Sequence, residues 1–172
     1  ADSSVKEHGF KSDGFMPVEF IDTAGCGYNE TFSKSGKSLR NEKEAELIKE
    51  RLGELSQHID GLSLGVISPY RGQVNYLKDA LPEFENNINT IDAFQGQERD
   101  VIIVSLVRSN DELVIGFLKD YRRMNVAMTR ARKKLILIGD SATVGADRFF
   151  GEFLDFVEKS GSYRTAWEYP SF

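Results

Sequence analysis

Two segments, separated by a short loop, contain the most informative part of this chain: NTIDAFQGQERDVIIVSLVRSN at residues 89–110 and IGFLKDYRRMNVAMTRARKKLILIGD at residues 115–140. Each segment includes a short apolar run, Val101–Val107 in the first and Leu135–Ile138 in the second. Short runs rich in β-branched residues are typical of parallel strands that helices cover on both faces. Polar residues, glycine and arginine flank the two runs, which indicates a surface on a rigid sheet that handles phosphate or nucleic acid.

The rest of the chain alternates predicted strands with predicted amphipathic helices. Further strands are predicted at Met16–Asp22, Leu64–Ile67, Asn87–Ile91 and, at one edge, Tyr163–Trp167. Apolar residues three or four positions apart predict helices after the N-cap residue Asn41 and at Tyr70–Leu81, Tyr121–Arg132 and Ala146–Lys159. Glu44 stands three residues after Asn41, which is the spacing of a capping box, and residues 24–38 are predicted to be a loop. Alternation of this kind predicts a parallel α/β sheet with right-handed crossovers.

The composition is that of a globular domain, with 172 residues, of which 40% are hydrophobic and 28% are charged. We expect a flexible N-terminal segment at residues 1–15, one domain at 16–172, and a monomer. No apolar run approaches the roughly 20 residues of a membrane span, so no membrane partner is expected. The single cysteine excludes an internal disulfide and predicts a cytoplasmic or other intracellular reducing compartment. One cysteine and two distant histidines predict no metal site.

The charge of the chain is unevenly distributed. The net charge is −5, which argues against a protein that simply coats nucleic acid. Residues 119–134 nevertheless contain seven basic residues and one acid, Asp120. The basic residues are Lys119, Arg122, Arg123, Arg130, Arg132, Lys133 and Lys134. Because net charge describes only the average field, a cleft near this segment can still be positive.

The polar segment DAFQGQERD, between a predicted strand and the apolar run at Val101–Val107, is a candidate ligand loop. In open parallel sheets ligands bind at the carboxyl ends of strands, and we expect this segment there. Gly96 lacks a side chain, so its backbone could approach a phosphate closely, and Glu98 could accept a hydrogen bond from a ribose hydroxyl. The alternative is a plain turn with a solvated glutamate.

The predicted helix Tyr121–Arg132 carries a second candidate. Arg123 and Arg130 are seven residues apart and are expected to share a helix face. Arginine suits phosphate because its planar group donates two parallel hydrogen bonds and stays charged. The alternative is a solvated basic face. The buried strand that follows Arg130 directly favours the ligand role, since it puts this arginine on or near the ligand-binding side of the sheet.

Gly36–Lys37–Ser38 resembles the end of a phosphate-binding P-loop, GxxxxGKS/T. The first glycine of that pattern is absent, because its position is Thr31, and no buried strand leads directly into the segment. We therefore predict that this is not a P-loop. A small P-loop kinase that uses Lys37 is rejected on the same ground.

The motifs together resemble those of superfamily 1 helicases, in the branch that includes the nonsense-mediated-decay RNA helicase and related 5′-to-3′ enzymes. DAFQGQERDVIIVS resembles helicase motif V, RRMNVAMTRARKKLILIGD resembles motif VI, and ISPYRGQV at 67–74 resembles motif IV. FIDTAG at 20–25 and NEKEAE at 41–46 resemble the opening of the same domain. The resemblance covers residues 16–145. Met124 and Met128 stand where leucine is usual, a substitution that conserves volume.

The resemblance implies an α/β fold of the three-layer RecA-like type, with helices on both faces of a parallel sheet. Such helicases bind ATP with Mg²⁺ between two RecA-like domains, and the first domain carries the P-loop and the Mg²⁺ ligands. None of those motifs is in this sequence. The resemblance therefore implies the second RecA-like domain of an ATP-dependent DNA or RNA helicase or translocase. The implied partners are the first RecA-like domain of the same polypeptide and single-stranded DNA or RNA.

The resemblance also assigns roles to individual residues. Arg130 corresponds to the catalytic arginine finger that reaches the γ-phosphate. The residues implied to bind nucleotide are Gln95, Gly96, Glu98 and Arg130, and those implied to grip the nucleic-acid backbone are Ser68, Thr90 and Asp92. The Gln95 side chain could couple the two sites. The remaining alternative is a non-catalytic RecA-like module that binds nucleic acid or protein, against which the presence of Glu98 and Arg130 argues.

Overall fold

The computed structural model describes residues 18–55, 61–94, 96–160 and 162–169. Six strands form the main sheet: β1 Val18–Asp22, β4 Leu64–Ile67, β5 Ile88–Asn89, β6 Arg99–Ser105, β7 Ala131–Gly139 and β8 Tyr163–Thr165. Their order is β5-β4-β6-β7-β1-β8, and every neighbouring pair is parallel. The two apolar runs of the sequence thus form the adjacent central strands β6 and β7, and the predicted parallel sheet is confirmed.

Helices cover both faces of this sheet. They are α1 Glu42–Leu55, α2 Arg71–Ala80, α3 Tyr121–Met128, α4 Ser141–Val144 and α5 Arg148–Ser160. Because successive side chains of a strand point to opposite faces, Val101 and Ile103 of β6 pack with apolar residues of α1 and α2. Ile102 and Val104 pack with those of α3 and α5. The two apolar clusters make a three-layer structure, which confirms the predicted RecA-like fold class. Among the described residues, no helix combines the length and apolar character that crossing a membrane requires.

Strand β6 ends at Ser105, two residues earlier than predicted. Val107 has a φ of 72°, a left-handed conformation that a strand cannot include. The start of α1 holds this turn, since Val107 N donates to Glu44 Oε1 at 2.9 Å and Asn41 Nδ2 donates to Val107 O at 3.0 Å. A side-chain contact across more than 60 residues therefore sets the end of the strand.

Helix α3 ends at Met128, and the prediction that it extends to Arg132 is wrong. Strand β7 begins at Ala131, four residues before the predicted start, and Arg99 N donates to Arg130 O at 2.9 Å. Ion pairs join this part of β7 to its neighbours: Arg132 pairs with Asp100 of β6, and Lys134 pairs with Glu19 of β1. Arg130 consequently lies in the turn between helix and strand and does not share a helix face with Arg123.

The predicted loop at 24–38 contains strand β2, Thr31–Phe32, which forms a small antiparallel hairpin with β3, Leu39–Arg40, directly after the loop. The N-cap at Asn41 is confirmed, because its Oδ1 accepts from Glu44 N at 3.0 Å. The reciprocal half of the capping box is absent, since Asn41 N donates to Gln73 Oε1 at 2.9 Å instead. The predicted flexible segment at 1–15 lies outside the described residues, as do Met16 and Pro17 of the first predicted strand.

Candidate nucleotide and nucleic-acid site

The nucleotide-binding candidates meet at the amino-terminal edge of the sheet. Gly96 and Glu98 directly precede β6, and Arg130 directly precedes β7. The hydrogen bond from Arg99 N to Arg130 O joins the two segments. The expectation that they lie at the carboxyl ends is wrong, because both segments enter their strands and the usual rule concerns loops that leave them. The structure thus brings the predicted residues together, but at the opposite edge.

The Arg130 side chain is half-buried and incompletely satisfied. Its Nε is inaccessible to solvent and has no hydrogen-bond partner among the described residues. The ion pairs of this region engage Arg123, Arg132 and Lys134, and none in the described part of the chain engages Arg130. A buried donor without a partner costs about 1–3 kcal/mol, so the guanidinium is suited to an acceptor supplied from outside the chain.

The backbone at Gly96 is open. Gly96 has a φ of 75°, and a Cβ built on it would meet no heavy atom within 4 Å. Glu98 is exposed, while Gln95 lies outside the described residues. Arg99, which the sequence analysis missed, orders the segment: it donates to Glu98 O at 3.0 Å and its guanidinium lies 5.3 Å from the centre of the Phe94 ring. The segment is therefore held by its backbone while its glutamate side chain stays exposed.

Much of the positive charge predicted at residues 119–134 is neutralised. Arg123 pairs with Asp92 at 2.9 Å, Arg132 with Asp100 at 3.2 Å and Lys134 with Glu19 at 3.3 Å. The pKa of Asp100 lies below its usual range because the Ser63 amide and then Arg132 donate hydrogen bonds to it. Lys119, Arg122, Arg130 and Lys133 form no ion pair within the described residues. Fewer basic side chains of this segment are therefore free to attract an anion than the sequence suggests.

The nucleic-acid candidates do not form one group. Ser68 and Thr90 follow β4 and β5 at the carboxyl edge, and Ser68 N donates to Asn89 O at 3.3 Å. Ser68 is fully buried, and its Oγ accepts from Tyr70 N at 3.3 Å. Asp92 lies in the 3₁₀ helix at 91–94, on the segment that leads towards the other edge, and is paired with Arg123. Only Thr90 and the backbone near Ser68 thus share a surface at the carboxyl edge.

A buried polar network closes the carboxyl end of β6. Glu44 Oε1 accepts from Ser105 Oγ at 2.5 Å and from Val107 N at 2.9 Å, and Gln73 Nε2 donates to Ser105 Oγ at 3.0 Å. Burial, and to a lesser extent the nearby Asp140, raise the pKa of Glu44 to about 7 against the opposing effect of its hydrogen bonds. The capping-box spacing of Asn41 and Glu44 is the one local pattern that points to this network, and it does not indicate the contacts with Ser105 and Gln73.

An exposed aromatic ring, Phe117, stacks on the buried Tyr70 at the same edge. Phe117 is 61% exposed, and its ring stacks on that of Tyr70 with centroids 5.2 Å apart. The Tyr70 hydroxyl donates to Ile115 O at 3.3 Å and accepts from Arg108 Nη1 at 3.1 Å. Arg108 is fixed in turn by an ion pair with Glu30 at 2.9 Å. The exposed Phe117 ring therefore packs on a tyrosine whose position is fixed by hydrogen bonds.

The described residues offer no group of three or more His, Cys, Asp or Glu side chains arranged to hold a metal ion. Gly36–Lys37–Ser38 lies in the turn between β2 and β3 and not between a buried strand and a helix, so it lacks the setting of a P-loop. At the amino-terminal edge the candidates are Arg130, which forms no ion pair in the described chain, the exposed Glu98 and the open backbone at Gly96. This set fits part of a nucleotide site.

Comparison with known proteins agrees with these motifs. Residues 2–142 match a family described as an AAA domain. The chain is 45% identical over 132 residues to the DNA polymerase alpha-associated DNA helicase A of Saccharomyces cerevisiae, covering 73% of this chain and 19% of that protein. It is 38% identical over 159 residues to the DNA-binding protein SMUBP-2 of Rattus norvegicus, covering 90% and 16%.

A protein of Methanocaldococcus jannaschii that is named as an uncharacterized ATP-dependent helicase is 38% identical over 145 residues, which cover 83% of this chain and 21% of the relative. The chain thus spans about a fifth of the length of these relatives. The family match covers most of the chain, and the relatives extend it to proteins named as helicases. The chain belongs to this AAA domain family and is a domain of the superfamily 1 helicases.

Proposed function

We propose that residues 16–172 are the second RecA-like domain of an ATP-dependent DNA or RNA helicase, and that Arg130 is its arginine finger. The observation that carries this proposal is the Arg130 guanidinium, at the edge where Gly96 and Glu98 also lie: its buried Nε has no partner among the described residues, and no ion pair there engages it. The Nε atoms of Arg40, Arg51 and Arg123 are also buried without a partner in the described chain, but each of those side chains forms an ion pair.

ATP, when bound, supplies the phosphoryl group whose transfer to water drives such a motor. Arg130 holds a permanent positive charge where charge develops on that group, a contribution of about 10³–10⁵ in rate in well-studied cases. Gly96 leaves the backbone open to a phosphate, and Glu98 accepts from a ribose hydroxyl. Gln95 is proposed to couple the nucleotide site to the nucleic-acid site.

The rest of the catalytic apparatus is proposed to lie on the first RecA-like domain of the same polypeptide. The hairpin setting of Lys37 and the lack of a metal-binding cluster among the described residues support this division. Mg²⁺ would then be held by that other domain. On this proposal the present chain alone hydrolyses ATP negligibly, since it provides one wall of the site.

Single-stranded nucleic acid is proposed to run along the carboxyl edge, in contact with Thr90 and the backbone near Ser68. Asp92 would contact it from the 3₁₀ helix that follows Thr90. The exposed Phe117 ring adds a surface on which a base can stack, and such stacking tolerates any sequence. Contact with the phosphate backbone makes binding largely independent of sequence. We propose a monomer that acts on single-stranded DNA or RNA in an intracellular compartment.

The test compares Arg130→Ala with Arg122→Ala in the full-length protein. Arg122 is an exposed α3 arginine without an ion pair among the described residues, so it controls for lost charge. ATP turnover is measured with and without single-stranded DNA and RNA, and strand binding by fluorescence anisotropy. We expect Arg130→Ala to reduce strand-stimulated turnover by about 10³-fold with binding retained, and Arg122→Ala to resemble wild type.

Normal turnover of the Arg130→Ala variant would refute the assignment of the arginine finger. If the wild-type full-length protein shows no strand-stimulated turnover with either nucleic acid, the non-catalytic module becomes the better account. Clear ATPase activity of the 172-residue chain alone would contradict the proposed division of the site.

A further inference from the structure

A basic cleft lies between the β2–β3 hairpin and α2. It has a volume of about 750 Å³, and its lining includes four basic side chains and one acidic side chain, Asp79. The basic residues are Lys34, Lys37, Arg40 and Arg71. None of the residues assigned above to nucleotide or strand binding lines this cleft.

Close packing of the hairpin on the first turn of α2 creates the cleft. A Cβ built on Gly72 would lie 2.6 Å from Leu39 O, so only glycine allows this approach. Gly72 N donates to Ser38 Oγ at 3.0 Å, which ties the helix start to the hairpin turn. The turn thereby brings its two lysines, Lys34 and Lys37, to the same cleft as Arg71.

The charge in the cleft is largely uncompensated. Lys34, Lys37 and Arg71 are exposed and take part in no ion pair within the described residues. Arg40 is paired with Glu42 at 2.6 Å, but its Nε is buried and has no partner in the described part of the chain. In a chain with a net charge of −5, three free cations around one cavity indicate a site for an anion that carries several charges.

The cleft adjoins the carboxyl edge where the strand is proposed to bind. Arg71 begins α2 only three residues after Ser68. Ser68 in turn contacts Asn89, the residue before Thr90, through the hydrogen bond from Ser68 N to Asn89 O. A strand that contacts Thr90 and passes Ser68 would therefore meet the mouth of the cleft next.

We propose that this cleft binds the phosphodiester backbone of the same single strand and lengthens its footprint on the domain, an inference that rests on the proposed function. On this proposal Lys37, in the tripeptide that resembles the end of a P-loop, binds a phosphate of nucleic acid and not a phosphate of ATP. Lysine acts on phosphate as a point charge without fixed geometry, which suits a backbone that slides during translocation.

The test uses the triple variant Lys34→Ala, Lys37→Ala and Arg71→Ala in the full-length protein. The control triple is Lys49→Ala, Arg148→Ala and Lys159→Ala, which removes the same charge from exposed positions on α1 and α5. Fluorescein-labelled oligothymidylate and oligouridylate of increasing length are titrated by anisotropy at several salt concentrations. Thermal unfolding followed by circular dichroism checks that both variants are folded.

We expect the cleft triple to bind long oligonucleotides at least about tenfold more weakly than wild type, and the control to be unchanged. The slope of log K against log salt should become shallower by about 2, since each lost phosphate contact contributes about 0.7 for a single strand. Turnover at saturating strand should be preserved, which is the reverse of the Arg130→Ala result.

An unchanged salt slope, or an equal loss in the control triple, would overturn the cleft proposal and leave the proposed function intact. If wild type itself neither binds a strand nor is stimulated by one, both proposals fail together. A loss of affinity that is the same for short and long oligonucleotides would also contradict an extended footprint.

Discussion

The two edges of the sheet differ in how their polar groups are satisfied. At the carboxyl edge, Glu44 Oε1 accepts from Ser105 and Val107, so groups of the same chain hold the end of β6, although Glu44 Oε2 is buried without a partner in the described chain. At the amino-terminal edge, the Nε of Arg130 is buried without a partner in the described chain, and the surroundings of Gly96 are open. The first arrangement is typical of a structural network, and the second of half of a binding site.

Two glycines with positive φ show the same contrast. Gly116, near the carboxyl edge, has a φ of 52°, and a Cβ on it would lie 2.2 Å from Arg108 Nη1 and 2.9 Å from the Tyr70 hydroxyl. Gly96, at the amino-terminal edge, has a φ of 75° with open space around it. Both positions favour glycine by conformation, but only at the first would a Cβ also have to displace a neighbouring side chain, Arg108.

The largest effect is therefore expected from Gly116→Ala, with Gly96→Ala as its matched partner. The left-handed conformation costs about 1–2 kcal/mol for alanine at either site. At Gly116 the methyl group must also displace Arg108 from Tyr70, and overpacking adds about 1–3 kcal/mol. Urea unfolding should give a loss of about 3 kcal/mol for Gly116→Ala and about 1 kcal/mol for Gly96→Ala. Equal losses would show that the two edges do not differ in packing.

The second prediction concerns Glu44 and pH. Its folded-state pKa of about 7 lies above that of an unfolded glutamate, so the native state holds its proton more tightly than the unfolded state does. This contribution to stability is complete at low pH and is lost as pH rises through about 7. Between about pH 5.5 and 7.5 the free energy of unfolding should fall by about 2 kcal/mol on account of this group.

The variant Glu44→Gln isolates the contribution of Glu44 to the pH dependence of stability, because glutamine keeps an acceptor oxygen for Ser105 and Val107 but does not titrate. Urea unfolding of wild type and variant is compared across the pH range, so that every other titrating group cancels in the difference. The wild-type stability should decline relative to the variant as pH rises. Parallel pH profiles would mean that Glu44 titrates normally and that the carboxyl edge is not closed as described.

Local sequence patterns predicted the layers of this fold but not the details of its edges. The strands at Leu64–Ile67 and Leu135–Ile138 and the N-cap at Asn41 depend on neighbouring residues, and the structure confirms them. The left-handed Val107 depends instead on Glu44, 63 residues away, which no local pattern can reveal. The early start of β7 similarly depends on a pairing with β6 that competes with helix propensity.

For the candidate site too, the sequence predicted some features and not others. Motifs V and VI indicated that Glu98 and Arg130 belong to one site, and their adjacency follows from the pairing of β6 with β7. The edge at which they meet was predicted wrongly, because the strand boundaries decide whether a segment enters or leaves a strand. No local pattern indicated that Ser68 is fully buried, with its Oγ accepting from Tyr70 N.

The smallest effect is expected for Asp92→Asn, which breaks the ion pair between Asp92 and Arg123 on the segment that links the two edges. Asp92 is 72% exposed and Arg123 is 39% exposed, so solvent screens their attraction. The free energy of unfolding should fall by less than about 1 kcal/mol, and this difference should disappear at high salt. Arg123→Gln provides the reciprocal variant, and the double variant measures the coupling between the two side chains. A coupling above about 2 kcal/mol that persists in high salt would show that Asp92 and Arg123 interact as strongly as a buried pair. The contrast between a carboxyl edge held by its own side chains and an open amino-terminal edge would then fail.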